Sequence, residues 1–314
     1  MAFSDNAKAV IALTTRLGHS SRPSLSPTRW YRFSTALADA EMQPADIFSQ
    51  GFDPSLPGVP DDLSQAVREL LADAATATVA AADLETKGIW TLTVADNDYP
   101  AALSERLGKL TPPVICGVGP TSLLAQRGIA IVGSRNVTED GAAAAGDIAR
   151  TAVDAGYTVV SGAARGVDQL AMNAAFMSGG QVLGILADSL QARIRRPDIL
   201  SALDAGNTTL ITQQSPSAGF TAASAMGRNK LIYAMSLATV VIASDLESGG
   251  TWNGATEALK ADNGVVTVWR GPGEGPGNAR LVELGAVAMS SVDEMLAYLE
   301  VEPESAPEQL SLAD

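Results

Sequence analysis

The chain is poor in the residues that build covalent or metal-centred sites. Its 314 residues include one cysteine, Cys116, and one histidine, His19, so an internal disulfide and a histidine-rich metal site are both excluded. No apolar run approaches the roughly 20 residues that cross a bilayer, and the N-terminal MAFSDNAKAV lacks a basic stretch followed by a hydrophobic one. The expectation is a cytoplasmic protein with no membrane partner, no metal and no cofactor. Bases are scarce as well, with 21 Lys and Arg against 35 Asp and Glu and a net charge of −14. Spread evenly, that charge would repel nucleic acid.

The acids are not spread evenly. Residues 39–85 hold ten of them against the single base Arg68, and residues 294–314 hold six with no base. The remainder is close to neutral, and from Ser161 to Lys230 six bases outnumber four acids. A local anion site is compatible with an acidic molecule.

A chain of this length and 46% hydrophobic content suggests more than one unit. Residues 5–50 read as helices, with Leu13, Leu17, Trp30, Phe33, Leu37, Ile47 and Phe48 at roughly helical spacing. FDPSLPGVPDD reads as a connection, 61–88 as alanine-rich helix, and IWTLTVADNDYP as a short strand and turn. From Ile129 the pattern changes to short β-branched runs separated by helical stretches: IAIVGS, TVVSGAA, QVLGILAD, NTTLITQQ, TVVIASD, VVTVW and AVAMSS. Strands that alternate with helices and lack a period-two pattern belong to a parallel sheet covered on both faces. The fold class is therefore α/β, with a doubly wound, mostly parallel Rossmann-like sheet and a small helical N-terminal domain. The expected boundaries are 1–88, 89–300 and an acidic, disordered tail at 301–314.

In such sheets ligands bind outside the carboxyl ends of the strands, and three predicted strand ends carry unusual residues. One ends on Gly133, Ser134 and Arg135. A second ends on Ser161 and Gly162, followed by Arg165, Gly166 and Asp168, and a third runs through Gly249, Gly250 and Thr251 into a helix. Glycine lets a backbone approach a ligand, and helix N-termini with arginine forks suit phosphate. MGRNKLIYAMSLA adds Arg228, Asn229 and Lys230 at the start of a helix whose Leu231, Ile232, Met235 and Leu237 turn inward, so the three polar residues are expected to face the ligand. Asp168 is expected to cap its helix or to orient Arg165, while Ala171, Met172 and Ala175 read as core. Taken singly, each strand-end motif also fits a plain tight turn. Together at one sheet edge they favour an anion site.

In order along the chain, VGSRN, VVSGAARGVDQLAMNAA, GRNKLIYAMS and SGGTWNGATEA resemble the signatures of the DNA-processing protein A (DprA/Smf) family, and DNDYPAALSERLGKLTPPVICGVG is similar to its segment before the first Rossmann strand. The resemblance covers about residues 5–290. It implies a protein that binds single-stranded DNA in a basic pocket, forms a homodimer and delivers the strand to a RecA-type recombinase in transformation. By motif it assigns Gly133, Ser134 and Arg135 to the first loop, Ser161, Gly162, Arg165, Gly166 and Asp168 to the second, and Arg228, Asn229 and Lys230 to the helix. The chain departs from the pattern at Met172, at Ala225-Met226-Gly227 and in the long SGGTWNGATEA loop, and its acidic C-terminal residues replace a winged-helix domain.

Two other classes fit parts of the chain. The GGT..GATE segment is similar to the loop of nucleotide phosphoribohydrolases, which would make the protein a nucleotide sensor or hydrolase with Glu257 as the candidate acid/base and Arg165 as a phosphate clamp. A glutamate at that position also fits a solvated helix face. Trp252 fits a core position or a base-stacking platform. The acidic N-terminal unit could instead dock on a basic protein through Asp61, Asp62 and Glu69.

Overall fold

The protein is described by a computed structural model, which places residues 3–18, 23–291, 293–294 and 296–297. His19 and the expected tail at 301–314 lie outside the described residues. The chain opens with helices α1 (Asp5–Thr14), α2 (Pro27–Asp39), α3 (Asp61–Leu71) and α4 (Ala74–Thr86). Local chemistry starts two of them: the Ser4 and Ser26 hydroxyls accept the N–H groups of Ala7 and Arg29, and Pro27 stands in the first turn of α2, where its missing N–H is harmless. The stretch expected to be helical over 61–88 is helical, as two helices separated at Ala72 and Asp73.

Next come β1 (Trp90–Thr93), α5 (Ala101–Leu107), β2 (Val114–Val118), β3 (Gly128–Val132), α6 (Glu139–Asp154), β4 (Thr158–Ser161), α7 (Val167–Met177) and β5 (Val182–Ile185). Then follow α8 (Leu190–Arg193), α9 (Pro197–Asp204), β6 (Thr208–Thr212), α10 (Ala222–Ala234), β7 (Ala238–Val241), α11 (Gly249–Ala261), β8 (Val265–Trp269), α12 (Asn278–Glu283) and β9 (Val287–Met289). The strands form one sheet in the order β1-β2-β6-β5-β4-β3-β7-β8-β9. From β6 to β9 every pairing is parallel, and these seven strands are the seven β-branched runs of the sequence. β2 is a strand the pattern did not reveal, because Pro112 and Pro113 precede it and Gly117 and Gly119 interrupt its apolar character. It runs antiparallel to both β1 and β6, with the Trp90 ring lying where a side chain at Gly117 would stand.

Alternate strand residues feed two cores. In β3, Ile129 and Ile131 face α6, α7 and the N-terminal helices, in a cluster with Ile148, Ala171, Leu13, Phe33 and Leu63. Ala130 and Val132 face the other layer with Leu103 of α5, Leu231 and Ile232 of α10, and Trp252 of α11. The helical N-terminal residues thus share a continuous apolar cluster with one face of the sheet. No helix among the described residues is long and apolar enough to cross a membrane.

The order of the parallel strands fixes where a ligand can enter. From β3 the chain winds one way through β4, β5 and β6, then returns to the other side of β3 as β7. The loops leaving β3 and β7 diverge, opening a crevice between their carboxyl ends.

Candidate nucleic-acid interface

A cleft of about 580 Å³ lies in that crevice, with Gly133, Ser134 and Arg135 after β3 on one wall and Gly249, Gly250 and Thr251 of α11 on the other. The floor is α10, through Arg228, Asn229 and Tyr233. Three strand-end and helix motifs widely separated in the sequence are therefore brought to one opening.

Arg228 is buried, 7% exposed. Its Nη1 lies 3.6 Å from Asp168 Oδ2, an ion pair longer than a hydrogen bond, and donates weakly to the Ile185 carbonyl at 3.5 Å. Its Nε has no hydrogen-bond partner among the described residues. Gly162 makes this position available, since a side chain there would overlap the guanidinium. Burial lowers the Arg228 pKa, Asp168 opposes that shift, and Arg135 adds to it. A buried cation with an unmade hydrogen bond at the base of an opening is poised for an anion.

Asp168, in the first turn of α7, is 5% exposed. Its carboxylate accepts backbone N–H groups from Ala164, Gly133 and Gly162, and so binds the loops after β3 and β4 to each other. Burial pushes its pKa upward, more strongly than Arg228 and those N–H groups pull it down. The expectation that it orients Arg165 is corrected: its cationic partner is Arg228. Arg165 is exposed and reaches Asn136 Oδ1 at 3.5 Å on the rim.

The loop after β4 is held in an unusual backbone conformation. Ala163 has φ +51, and Gly166 has φ +90, with the space where a side chain would stand filled by the backbone of Ser134 and Arg135. Ser161 is fully buried and donates its hydroxyl to the Ile131 carbonyl at 2.7 Å, so it ties β4 to β3 rather than facing the cleft. Ser134 turns its own loop, its hydroxyl bonded to the Asn136 N–H and carbonyl at 3.1 Å.

On the opposite wall, Ser248 provides no side-chain cap for α11, which leaves the first-turn N–H groups at Gly249 to Thr251 facing the cleft. Asn229 fastens that wall to the floor through a 3.0 Å bond to the Gly250 carbonyl. Tyr233, 3% exposed, has a hydroxyl without a partner, and burial and Asp168 both raise its pKa.

Several expected site residues do not line the cleft: Ser161, Gly162, Arg165 and Gly166 of the loop after β4, and Lys230 of α10. Successive helix residues are about 100° apart, which turns Lys230 roughly 200° from Arg228. It lines a different groove with Gly227 and Leu231 and pairs with Glu257 Oε1 at 3.0 Å. Glu257 is not among the residues that line the cleft, and Trp252 is a core residue.

The sequence pattern also missed contributors. Phe220, 53% exposed, stands at the mouth with the Arg135 guanidinium 5.6 Å from its ring centre. An isolated aromatic in the polar loop SPSAGFTAAS was the available signal. Asn136, Asp245 and Asn253 also line the cleft, and single polar residues in loops carry no comparable mark.

The family model for DNA recombination-mediator protein A matches residues 90–300. A putative DNA processing protein DprA of Mycobacterium tuberculosis is 32% identical over 197 residues, which are 60% of this chain and 50% of the relative. The DNA processing protein DprA of Bacillus subtilis is 26% identical over 220 residues, covering 68% of this chain and 72% of the relative. The chain thus spans about half the length of the mycobacterial protein. Among solved structures, DNA processing protein A from Streptococcus pneumoniae superposes with a TM-score of 0.70 over 95% of this chain and 98% of that one, at 19% identity, a likeness of fold. The Helicobacter pylori protein, solved for its single-stranded DNA binding mode, gives a TM-score of 0.57 at 25% identity over 68% of this chain and 95% of that one.

Proposed function

Since this chain belongs to the DNA recombination-mediator protein A family, we propose that it binds single-stranded DNA along the cleft between the β3 and β7 ends. The observation that carries this reading is the buried Arg228 guanidinium, whose side chain lines the cleft and whose enclosed Nε has no partner among the described residues. In the proposed complex Arg228 and the open N–H groups of α11 receive phosphate oxygens. Arg135 supplies a second cation at the rim, and Phe220 offers a ring on which a base stacks. Glycines at 133, 162 and 166 allow the backbone to close around these contacts. The H. pylori relative's single-stranded DNA binding supports the choice of ligand.

Delivery of the strand to a RecA-type recombinase, homodimer formation, work in transformation and a cytoplasmic location complete the proposal. The first follows the family's description as a recombination mediator; the dimer, transformation and location follow the sequence resemblance alone.

The test is a salt-titrated comparison of oligo-dT, duplex DNA and thymidine monophosphate. Oligo-dT is expected to bind most tightly, with log K falling against log salt by about 0.7 per phosphate contacted. Mononucleotide binding as tight as oligo-dT would favour the nucleotide-sensor class instead. Absence of oligo-dT binding would overturn the proposal.

A further inference from the structure

The charges beneath the cleft are balanced before any ligand arrives. One buried carboxylate, Asp168, stands against one buried guanidinium, Arg228, and both are less than a tenth exposed. A phosphate drawn to the Arg228 guanidinium from the cleft brings a second anion to the same cation. The carboxylate is enclosed beside that cation, its side chain 7% exposed, with the backbone N–H groups of Ala164, Gly133 and Gly162 around it. Two anions beside one buried cation in a poorly solvated site are relieved most directly by protonating one of them, as in carboxylate pairs that share a proton. The phosphodiester is too acidic to be that one.

Resting on the reading of this cleft as a phosphate site, we propose that single-stranded DNA binding takes up a proton on Asp168. The groups facing this carboxylate are few. Arg228 and Tyr233 approach from α10, and the Tyr233 hydroxyl is un-ionised and has no partner. Arg135 acts on Arg228 from the rim, where it is exposed and screened by solvent. Asp188 and Arg193 lie beyond Arg228 and are bonded to each other at 2.9 Å, so they offset one another. Arg165 points to Asn136.

The direction of the linkage follows. Burial already raises the Asp168 pKa above the ordinary carboxylate range, and a bound phosphate raises it further. Between the free and the bound pKa, binding captures protons, and affinity falls as pH rises through that window by up to about tenfold per pH unit. Above the window the site binds without proton exchange, and below it Asp168 is protonated throughout.

The experiment is calorimetric titration of the full chain with oligo-dT from pH 5 to 7.5, in pairs of buffers with different ionisation enthalpies. Thymine does not protonate there, so the DNA adds no signal. The expected result is a buffer-dependent heat equal to uptake of up to about one proton, lost in Asp168→Asn. Identical heats in both buffers at every pH, with binding intact, would overturn the proton inference alone. Uptake that persists unchanged in Asp168→Asn would remove it from this residue. Where Asp168→Asn does not fold, Asp245→Asn takes its place: uptake kept in that variant leaves the proton on Asp168, and uptake lost there moves it to the other carboxylate that lines the cleft. Failure of oligo-dT to bind at all would overturn the phosphate reading and this inference with it.

Discussion

Two cavities of nearly equal size lie against α10, and each contains arginine. The cleft at the carboxyl rim holds about 580 Å³, and a cavity at the amino rim, lined by Asn97, Tyr99, Arg106, Arg127 and Met235, holds about 590 Å³. Volume does not distinguish them, but hydrogen-bond satisfaction does. Arg106 Nη1 gathers the Tyr233, Ala234 and Ser236 carbonyls, closing the C-terminal end of α10. Arg127 lies 5.4 Å from the Tyr157 ring centre. By contrast Arg228 keeps an empty Nε, the Tyr233 hydroxyl is unbonded, and the α11 N-terminus lacks a side-chain cap. Buried polar groups are bonded in nearly every case; of the three exceptions among the described residues, Arg228 Nε and the Tyr233 hydroxyl belong to the rim where an α/β sheet places its ligands, and the third, Glu257 Oε2, lies outside the cleft beside Lys230. One arginine is spent on holding the helix, while the other is held in readiness.

The widest separation between the two sites is expected from conservative replacement of each arginine. Arg228→Lys keeps a positive charge opposite Asp168 but removes the guanidinium fork. It should weaken oligo-dT binding by about 1.5–3 kcal/mol, roughly 10- to 150-fold, with the melting temperature little changed. Arg106→Ala should do the reverse, lowering stability by about 1–3 kcal/mol and leaving affinity alone. Equal effects on binding from both, measured by fluorescence anisotropy and thermal unfolding, would erase the distinction.

A smaller effect is expected at Gly162. A methyl added by Gly162→Ala must displace the Arg228 guanidinium or the Asp168 carboxylate, both of which it would crowd. Such overpacking costs about 1–3 kcal/mol of stability, and oligo-dT affinity should fall with it. Gly156→Ala is the comparison. Unlike Gly162, Gly156 has positive φ, and open space surrounds it, so backbone strain alone should cost it stability without loss of affinity. Retained affinity in Gly162→Ala would mean that the guanidinium position does not matter.

How much of this was legible beforehand depended on whether the signal was local. The seven parallel strands were legible because burial on both faces demands continuous β-branched runs, and the strand-end glycines were legible because close backbone approach leaves few other choices. β2 was not, since two prolines and two glycines mask a strand whose antiparallel pairing is set by β1 and β6. Asp168 was placed in its helix correctly but given the wrong partner, because its contact with Arg228 spans sixty residues. Tyr233 looked like one more core residue of an amphipathic helix, and only the three-dimensional arrangement shows its hydroxyl without a bond. The block Arg228-Asn229-Lys230 read as one polar face, although helical geometry turns its ends to opposite sides.

That last point gives the smallest expected effect and a sharp boundary for the site. Lys230 and Glu257 are 29% and 38% exposed and pair at 3.0 Å across α10 and α11, in contact with solvent that weakens the attraction. Lys230→Ala should therefore alter stability by about 0–1 kcal/mol and leave both oligo-dT affinity and its salt dependence unchanged. The salt dependence is the more telling measurement, since a phosphate contact reports itself there even when its net free energy is small. If the slope in Lys230→Ala becomes shallower by about 0.7, Lys230 neutralises a phosphate. The strand must then leave the cleft over the top of α10 and enter the groove beside the N-terminal helices. An unchanged slope confines the strand to the side of α10 that carries Arg228, and makes Lys230 a tie between two helices behind it.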